Sequence, residues 1–127
     1  MTDILSEDIA AHAIRNKDFR REILTNKHSQ IVLMSIEPDD EIGEETHKVD
    51  QILMFVAGEG QAVLDGKKRQ VKANSLVVVP AGTLHNFINK GDEPLKLFTI
   101  YAPPEEEPGV VHKTKAEADA AEEAKGD

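Results

Sequence analysis

Short apolar runs separated by turn signals are the feature that most constrains this fold. From residue 19 onward the runs alternate in polarity or are apolar throughout, and each ends at a proline, a glycine or a polar turn. The clearest turn is Asp65-Gly66, because both positions of a two-residue hairpin turn favour positive φ angles. Runs of this length suit strands better than helices. About nine of them predict an all-β barrel or sandwich.

The N-terminal region has a different pattern from this strand-rich centre. A loose apolar stripe over residues 4–17, with Ser6 as a candidate N-cap, predicts a short helix that lies across a sheet or against a second copy. We therefore assign residues 1–18 to a helical extension and residues 19–104 to the β-barrel.

An acidic tail, residues 105–127, follows Pro103-Pro104. It carries eight acidic and three basic side chains, a net charge of -5 out of -9 for the whole chain. Thr114 and Glu117 have the spacing of a capping box, which allows a terminal helix. The apolar residues of that segment are alanines, which bury little surface, so the tail is either helical or disordered and we expect a frayed end.

Composition excludes several kinds of site and partner. The chain has no cysteine, so a metal ion must be bound by histidine, carboxylate or amide ligands. It has no basic stripe, and nucleic acid is therefore not an expected partner. No signal peptide or long apolar span is visible, so we expect a cytoplasmic protein with no membrane partner.

Polar residues with the chemistry of metal ligands lie in two blocks. Glu45, His47 and Gln51 are separated by even numbers, so their side chains can all point inward from one hairpin region. His85 comes from a later strand and would approach from the facing sheet. Two histidines and one carboxylate match the facial triad that holds Fe(II) or Mn(II), with Gln51 as a fourth, neutral ligand.

The second block resembles a motif of the cupin superfamily, and the resemblance covers roughly residues 30–102. Four residues of that motif stand at the family's spacing: Pro80, Gly82, His85 and Asn89. Asp39 and Asn74 replace two glycines of the family's pattern, one in each of its two motifs, and both residue types tolerate left-handed backbone conformations. The resemblance implies a single jelly-roll barrel, also called a double-stranded β-helix.

The first cupin motif matches this sequence in spacing, but some of its residue types are replaced. Gln51 takes the place of the family's glutamate, His47 that of its second histidine and Glu45 that of its first. An amide oxygen binds metal more weakly than a carboxylate, and Glu45 is a harder ligand than imidazole. We therefore expect a divalent ion, with Mn or Fe favoured over Ni or Zn. An empty site is the alternative, since some members of this fold lack metal.

Residues 41–47, Asp50-Gln51 and residues 94–104 resemble those of small single-domain bacterial cupins of the mannose-6-phosphate isomerase-like group. That label rests on fold similarity and implies little about chemistry. The leading interpretation is a metal-dependent isomerase or dioxygenase acting on a small oxygen-rich molecule, such as a keto-sugar, a diketone or an α-hydroxy acid. The alternatives are a non-catalytic binding barrel and a structural module whose polar residues bond each other.

The catalytic residues remain unassigned, with Glu45 and His112 as candidate general bases. Glu45 would be a poor base if it binds the metal. His112 either folds over the barrel mouth or is an exposed tail histidine, which is the favoured alternative. Residues 52–56 are apolar on both faces. They need cover from outside the barrel, so we expect a homodimer, as is common among the small cupins that this chain resembles.

Overall fold

The computed structural model describes residues 3–125, and within that range it contains nine strands and two helices. In chain order these are α1 (Ile9–Arg15), β1 (Arg20–Thr25), β2 (Gln30–Ile36), β3 (Asp50–Ala57), β4 (Glu59–Leu64), β5 (Lys67–Lys72), β6 (Leu76–Val79), β7 (His85–Asn89), β8 (Leu95–Ala102), β9 (Val111–His112) and α2 (Lys115–Lys125). The prediction of an all-β fold with short terminal helices is confirmed.

The strands form two sheets that face each other as a jelly-roll barrel. The larger sheet has the order β6-β3-β8-β2-β1-β9 and the smaller one the order β5-β4-β7, with antiparallel pairing throughout. Apolar side chains from both sheets fill the space between them. Phe55 of β3 packs against Phe87 of β7, for example, with ring centroids 5.7 Å apart.

The inner face of the barrel is polar at one end. Side chains alternate along β8, so that Leu95, Leu97, Thr99 and Tyr101 are buried while their neighbours are not. Gln51 of β3 is paired with Tyr101, which places a buried amide beside a buried phenol. The alternation therefore runs from an apolar core at one end to a polar cluster at the other.

Three non-glycine residues with positive φ confirm the predicted turns. Asp39 and Asn74, which stand where the cupin pattern has glycine, adopt φ angles of 67° and 74°. Asp65 and Gly66, with φ angles of 53° and 83°, form the turn between β4 and β5. Asp and Asn are the side chains that best tolerate this region, so the substitutions preserve the backbone path.

Helix α1 packs on the outer face of the larger sheet but is shorter than predicted. It begins at Ile9 because Asp8, not Ser6, is the N-cap and accepts a hydrogen bond from the Ala11 amide at 3.1 Å. At its other end, the Lys96 ammonium donates to the carbonyl oxygens of Ile14 and Asn16. In the described residues, neither helix is long and apolar enough to cross a membrane.

The expectation of a frayed C-terminal end is wrong for residues 111–125, which form β9 and α2. Strand β9 pairs with β1, and the Glu22 amide donates to the Val110 carbonyl at 2.9 Å. Half of the predicted capping box is present at the start of α2, where the Thr114 hydroxyl accepts from the Glu117 amide at 3.1 Å, while the Glu117 carboxylate accepts from the Lys113 amide instead of that of Thr114. Backbone pairing anchors this segment, which is why its alanine-rich composition was a poor guide.

Candidate metal centre

Glu45, His47 and His85 bring their ligand atoms within 4.8 Å of one another. The two histidines are buried, at 8% and 1% exposure, and their rings lie 5.2 Å apart. The Glu45 side chain is about one-third exposed and stands at the solvent edge of the group. The two sequence blocks therefore meet in space, as metal binding requires. This three-residue set is called the ligand cluster below.

Backbone pairing explains why the ligand cluster forms. Glu45 and His85 exchange two backbone hydrogen bonds, of 2.9 and 3.0 Å, so their side chains start from neighbouring positions. The Gly82 amide donates to the His47 carbonyl at 2.8 Å and ties the second block to the first. Glu45 thus lies on the His85 side of the barrel, whereas Gln51 lies on β3 of the larger sheet. The expectation that Glu45, His47 and Gln51 share one hairpin region is wrong for Glu45.

The hydrogen bonding of His85 leaves one ring nitrogen bare. Its Nδ1 lies 2.8 Å from the Thr83 carbonyl oxygen, which can only accept, so Nδ1 carries the proton. In the neutral ring Nε2 then holds a lone pair. That atom is buried and has no hydrogen-bond partner. His85 is therefore oriented and protonated as a metal ligand requires.

His47 lies between two carboxylates. Its Nδ1 is 3.2 Å from Glu105, and its Nε2 is 3.3 Å from Glu45 without hydrogen-bond geometry. Burial is the largest single influence and lowers the pKa of His47, but the close approach of two carboxylates, Glu45 and Glu105, outweighs it. The pKa of His47 is consequently raised above its ordinary value of 6.5.

The Gln51 amide is oriented by a chain of hydrogen bonds. Thr99 donates its single hydroxyl proton to the Ile52 carbonyl at 3.0 Å, so its oxygen can only accept from Gln51, at 3.1 Å. The Gln51 amino group also donates to the Tyr101 hydroxyl at 3.3 Å. Both donors of Gln51 are therefore used, and its Oε1 is left buried with no partner.

Tyr101 links Gln51 to the ligand cluster. Its ring meets His47 edge-on, with centroids 5.6 Å apart, while its hydroxyl bonds Gln51. Burial, assisted by the nearby Glu106 carboxylate, raises the pKa of Tyr101 well above its usual value. Tyr101 is therefore a neutral phenol that supports two of the predicted ligands.

Unpartnered buried atoms are concentrated at this site. In the described part of the chain, four buried side-chain atoms lack a hydrogen-bond partner, and three belong to predicted ligands: His47 Nε2, Gln51 Oε1 and His85 Nε2. Each such atom costs about 1–3 kcal/mol when left unpaired. With both imidazoles neutral, all three atoms offer a lone pair to a cation, and the two histidines and Glu45 lie close enough together to share one. The residues present fit a divalent metal ion.

The candidate base His112 lies on β9, opposite Arg20 of β1. Arg20 donates from Nη1 to His112 Nδ1 over 3.3 Å, and His112 is not a member of the ligand cluster. Glu45, the other candidate, is a member. The site thus places one candidate among the ligands and the other on the strand that anchors the tail.

Sequence reasoning missed three residues of this site. Thr99 and Tyr101 could have been found from the alternation of β8, because both face inward beside Gln51. Glu105 could not, because it lies in the acidic stretch predicted to be a helical or disordered tail. Only the tertiary structure brings it to His47.

Comparison with known proteins identifies the family. A cupin domain model matches residues 32–101 of this chain. The chain belongs to the cupin family. Among solved structures it resembles a protein from Bacillus halodurans, BH2720, at 39% identity and a TM-score of 0.90, with 91% of this chain and 93% of that chain covered.

Two relatives are similar in sequence along most of this cupin. The uncharacterized protein YrkC of Bacillus subtilis is 47% identical over 86% of the chain, and the chain spans 62% of the length of YrkC. The uncharacterized protein L612 of Acanthamoeba polyphaga mimivirus is 33% identical, with 94% of this chain and 78% of that protein covered.

A more distant structure shares the fold alone. The Thermotoga maritima protein named a predicted oxalate decarboxylase is 22% identical, with a TM-score of 0.61 over 65% of this chain and 77% of that chain. The narrower resemblance to the mannose-6-phosphate isomerase-like group stays a prediction.

Proposed function

We propose that this cupin binds one divalent metal ion through Glu45, His47, Gln51 and His85, and acts there on a small oxygen-rich molecule. The observation that supports the proposal is the pair of buried, unpartnered imidazole nitrogens in the cluster with Glu45, together with the unpartnered Gln51 oxygen, whose amide is linked to His47 through Tyr101. When bound, the ion would supply Lewis acidity or O2 chemistry at its open coordination positions. The protein would hold the ion, orient the ligands and exclude water from the buried side.

The ligand set favours Mn or Fe, with Ni or Zn as the other candidates. Two imidazole nitrogens are joined by one carboxylate and one amide oxygen, and oxygen ligands shift preference toward harder ions. Gln51 is neutral, so Glu45 supplies the one formal negative charge of the set. We expect modest affinity as a result.

The charges around the site favour an uncharged substrate. Glu45 and Glu105 are each about one-third exposed, so carboxylates line the solvent edge of the ligand cluster. Together they balance the two charges of a divalent ion, which leaves little attraction for an anion. Of the predicted substrate classes, a keto-sugar or a diketone therefore fits better than an α-hydroxy acid.

Two reaction classes remain open, and they make different demands on the protein. Isomerisation requires a general base, and Glu45 serves poorly if it binds the metal. Dioxygenation needs no protein base but requires a redox-active ion. A second candidate function, a barrel that binds metal and ligand without turnover, is favoured by the positions of the two candidate bases, since Glu45 is a member of the ligand cluster and His112 is not.

Metal analysis and turnover assays test these possibilities together. Untagged protein and the His47→Ala variant would be analysed for metal content as purified and after reloading with Mn, Fe, Ni or Zn. About one ion per chain is expected in the wild type, whereas the variant should lack the ion as purified and bind it only at higher metal concentration, because its affinity is lower. Loaded protein would then be assayed for sugar isomerisation and for O2 consumption with a diketone. No metal after reloading would reject the proposal, and metal without turnover would favour the binding barrel.

A second copy of this chain is the partner we propose for the outer face of β6. Leu76 and Val78 are 58% and 56% exposed and pair with Met54 and Ile52 of β3, so the four side chains share one outward face. Sedimentation equilibrium should give a dimer mass that falls to the monomer mass in Val78→Lys. Leu84→Lys introduces the same charge at another exposed apolar residue and should leave the dimer intact. A monomer mass for the wild type at all concentrations would contradict the proposal.

A further inference from the structure

The chain segment that follows β8 is fastened to the barrel by a buried glutamine. Gln30, at 0% exposure, accepts hydrogen bonds from the backbone amides of Glu105 and Glu106, at 3.1 and 2.8 Å. Its amino group donates to the Glu106 carbonyl oxygen at 2.8 Å. One buried side chain thus makes three hydrogen bonds to the backbone at these two glutamates. The backbone of Glu105 is thereby held in place.

A second attachment lies beyond the glutamates. Strand β9 pairs with β1, and Arg20 of β1, itself 8% exposed, has its Nε 3.8 Å from the Glu106 carboxylate. Residues 105–112 are therefore fixed at both ends. This segment, called the strap below, begins beside His47, with Glu105 Oε2 3.2 Å from Nδ1 of that ring.

The strap carries Glu105 to the side of His47 that faces away from Glu45. Glu105 Oε2 lies 3.2 Å from Nδ1, whereas Glu45 Oε1 lies 3.3 Å from Nε2. An ionised carboxylate can only accept, so in neutral His47 it holds the proton on Nδ1 and leaves the lone pair on Nε2. The Thr83 carbonyl oxygen likewise accepts from Nδ1 of His85 and leaves the lone pair on Nε2. The two neutral imidazoles therefore have the same tautomer, which a charged acceptor fixes in His47 and a neutral acceptor fixes in His85.

We propose that Glu105 is a positioning residue that fixes the tautomer and orientation of His47 and strengthens it as a metal ligand. The inference rests on the proposed function, because it requires His47 to bind metal. Carboxylate partners of metal-binding histidines orient the ring and raise the basicity of the coordinating nitrogen. Glu105 is consequently part of the metal centre, whereas the rest of the strap only holds it in place.

Three variants of the full chain test this role. Glu105→Ala removes the acceptor and the charge, whereas Glu105→Gln keeps an oxygen that can accept from Nδ1 but loses the charge. Glu107→Gln removes the same charge two residues away, at an exposed position, and serves as the matched control. Affinity for Mn(II) and Zn(II) would be measured by competition with a chelator. We expect affinity to fall about 10–100-fold in Glu105→Ala, less in Glu105→Gln and not at all in the control.

A double-mutant cycle separates positioning from general stabilisation. With His47 already replaced by alanine, Glu105→Ala should cause no further loss of metal affinity, because it would act only through that ring. Equal losses with and without His47 would overturn the proposal, as would wild-type affinity in Glu105→Ala. If the wild type itself binds no metal after reloading, the proposed function fails, which is a distinguishable result. The unfolding midpoint of each metal-free variant would show whether it folds.

Discussion

His85 and Asn89 lie at opposite ends of strand β7, face the same side and are equally buried, at 1% exposure each. Their bonding differs. The Asn89 amino group donates to the carbonyls of Ile36 and Glu93, and its oxygen accepts from the Gly91 amide, each at 2.8 Å. His85 has its Nδ1 bonded to Thr83 and its Nε2 bonded to nothing.

The difference shows that hydrogen-bond completeness, rather than burial, separates a structural polar residue from a candidate ligand. Asn89 ties the end of β2 to the loop between β7 and β8 and leaves none of its bonding groups open to a further partner. His85 keeps a lone pair directed into a buried cluster, a cost that makes physical sense if a cation occupies it. The two residues therefore make opposite predictions for metal binding and stability.

Replacing His85 with alanine should have the largest effect on metal binding. Loss of a coordinating imidazole is expected to weaken affinity more than about 100-fold. This exceeds the loss of about 10–100-fold that is usual when a residue that only hydrogen-bonds a metal ligand is removed. The metal-free protein should change in stability by only about 1 kcal/mol, because the variant loses one hydrogen bond to Thr83 while removing an unpaired buried nitrogen. Chelator competition and urea unfolding measure the two quantities. Retained affinity would remove His85 from the ligand set.

Replacing Asn89 with alanine should have the reverse outcome. Three backbone groups, of which the Ile36 carbonyl is buried, would lose their partner, and we expect the free energy of unfolding to fall by about 2–3 kcal/mol. Metal affinity per folded molecule should stay within a factor of two or so of the wild type, by analogy with other sites that share no partner. Urea unfolding of metal-free protein tests the first part. Normal stability would mean that water or a shifted backbone replaces the amide.

The same contrast explains how much the sequence could predict. One motif places His85 and Asn89 correctly because its spacing reflects strand alternation, a local property of the chain. Asp39 and Asn74 were predictable for a similar reason, since positive φ restricts residue type locally. Strap residue Glu105 was not predictable, because its contact with His47 spans 58 positions and depends on β9 pairing with β1. Residues that reach a site through tertiary pairing leave no local signal.

Gln51 is an intermediate case between His85 and Asn89, since its donors are paired and its oxygen is not. Gln51→Leu removes that oxygen at similar volume and should weaken Mn(II) affinity by roughly tenfold, less than loss of a histidine, because a neutral amide is a weak ligand. Chelator competition again provides the measurement. Unchanged affinity would mean that Gln51, like Asn89, stabilises the barrel and does not bind the metal.

The smallest expected effect concerns His47 in metal-free protein, where Glu45 and Glu105 hold its pKa above 6.5. Because the folded state binds this proton more tightly than the unfolded chain, the stabilisation is fully present below pH 6.5 and is lost as pH rises through the raised pKa. Urea unfolding in the presence of a chelator should therefore show wild-type stability falling over that range relative to His47→Gln. Metal affinity should rise over the same range, since the ion competes with a proton at Nε2. Parallel pH profiles for the two proteins would mean that the carboxylates do not hold a proton on His47, and would leave its unpaired nitrogen, like that of His85, available at neutral pH.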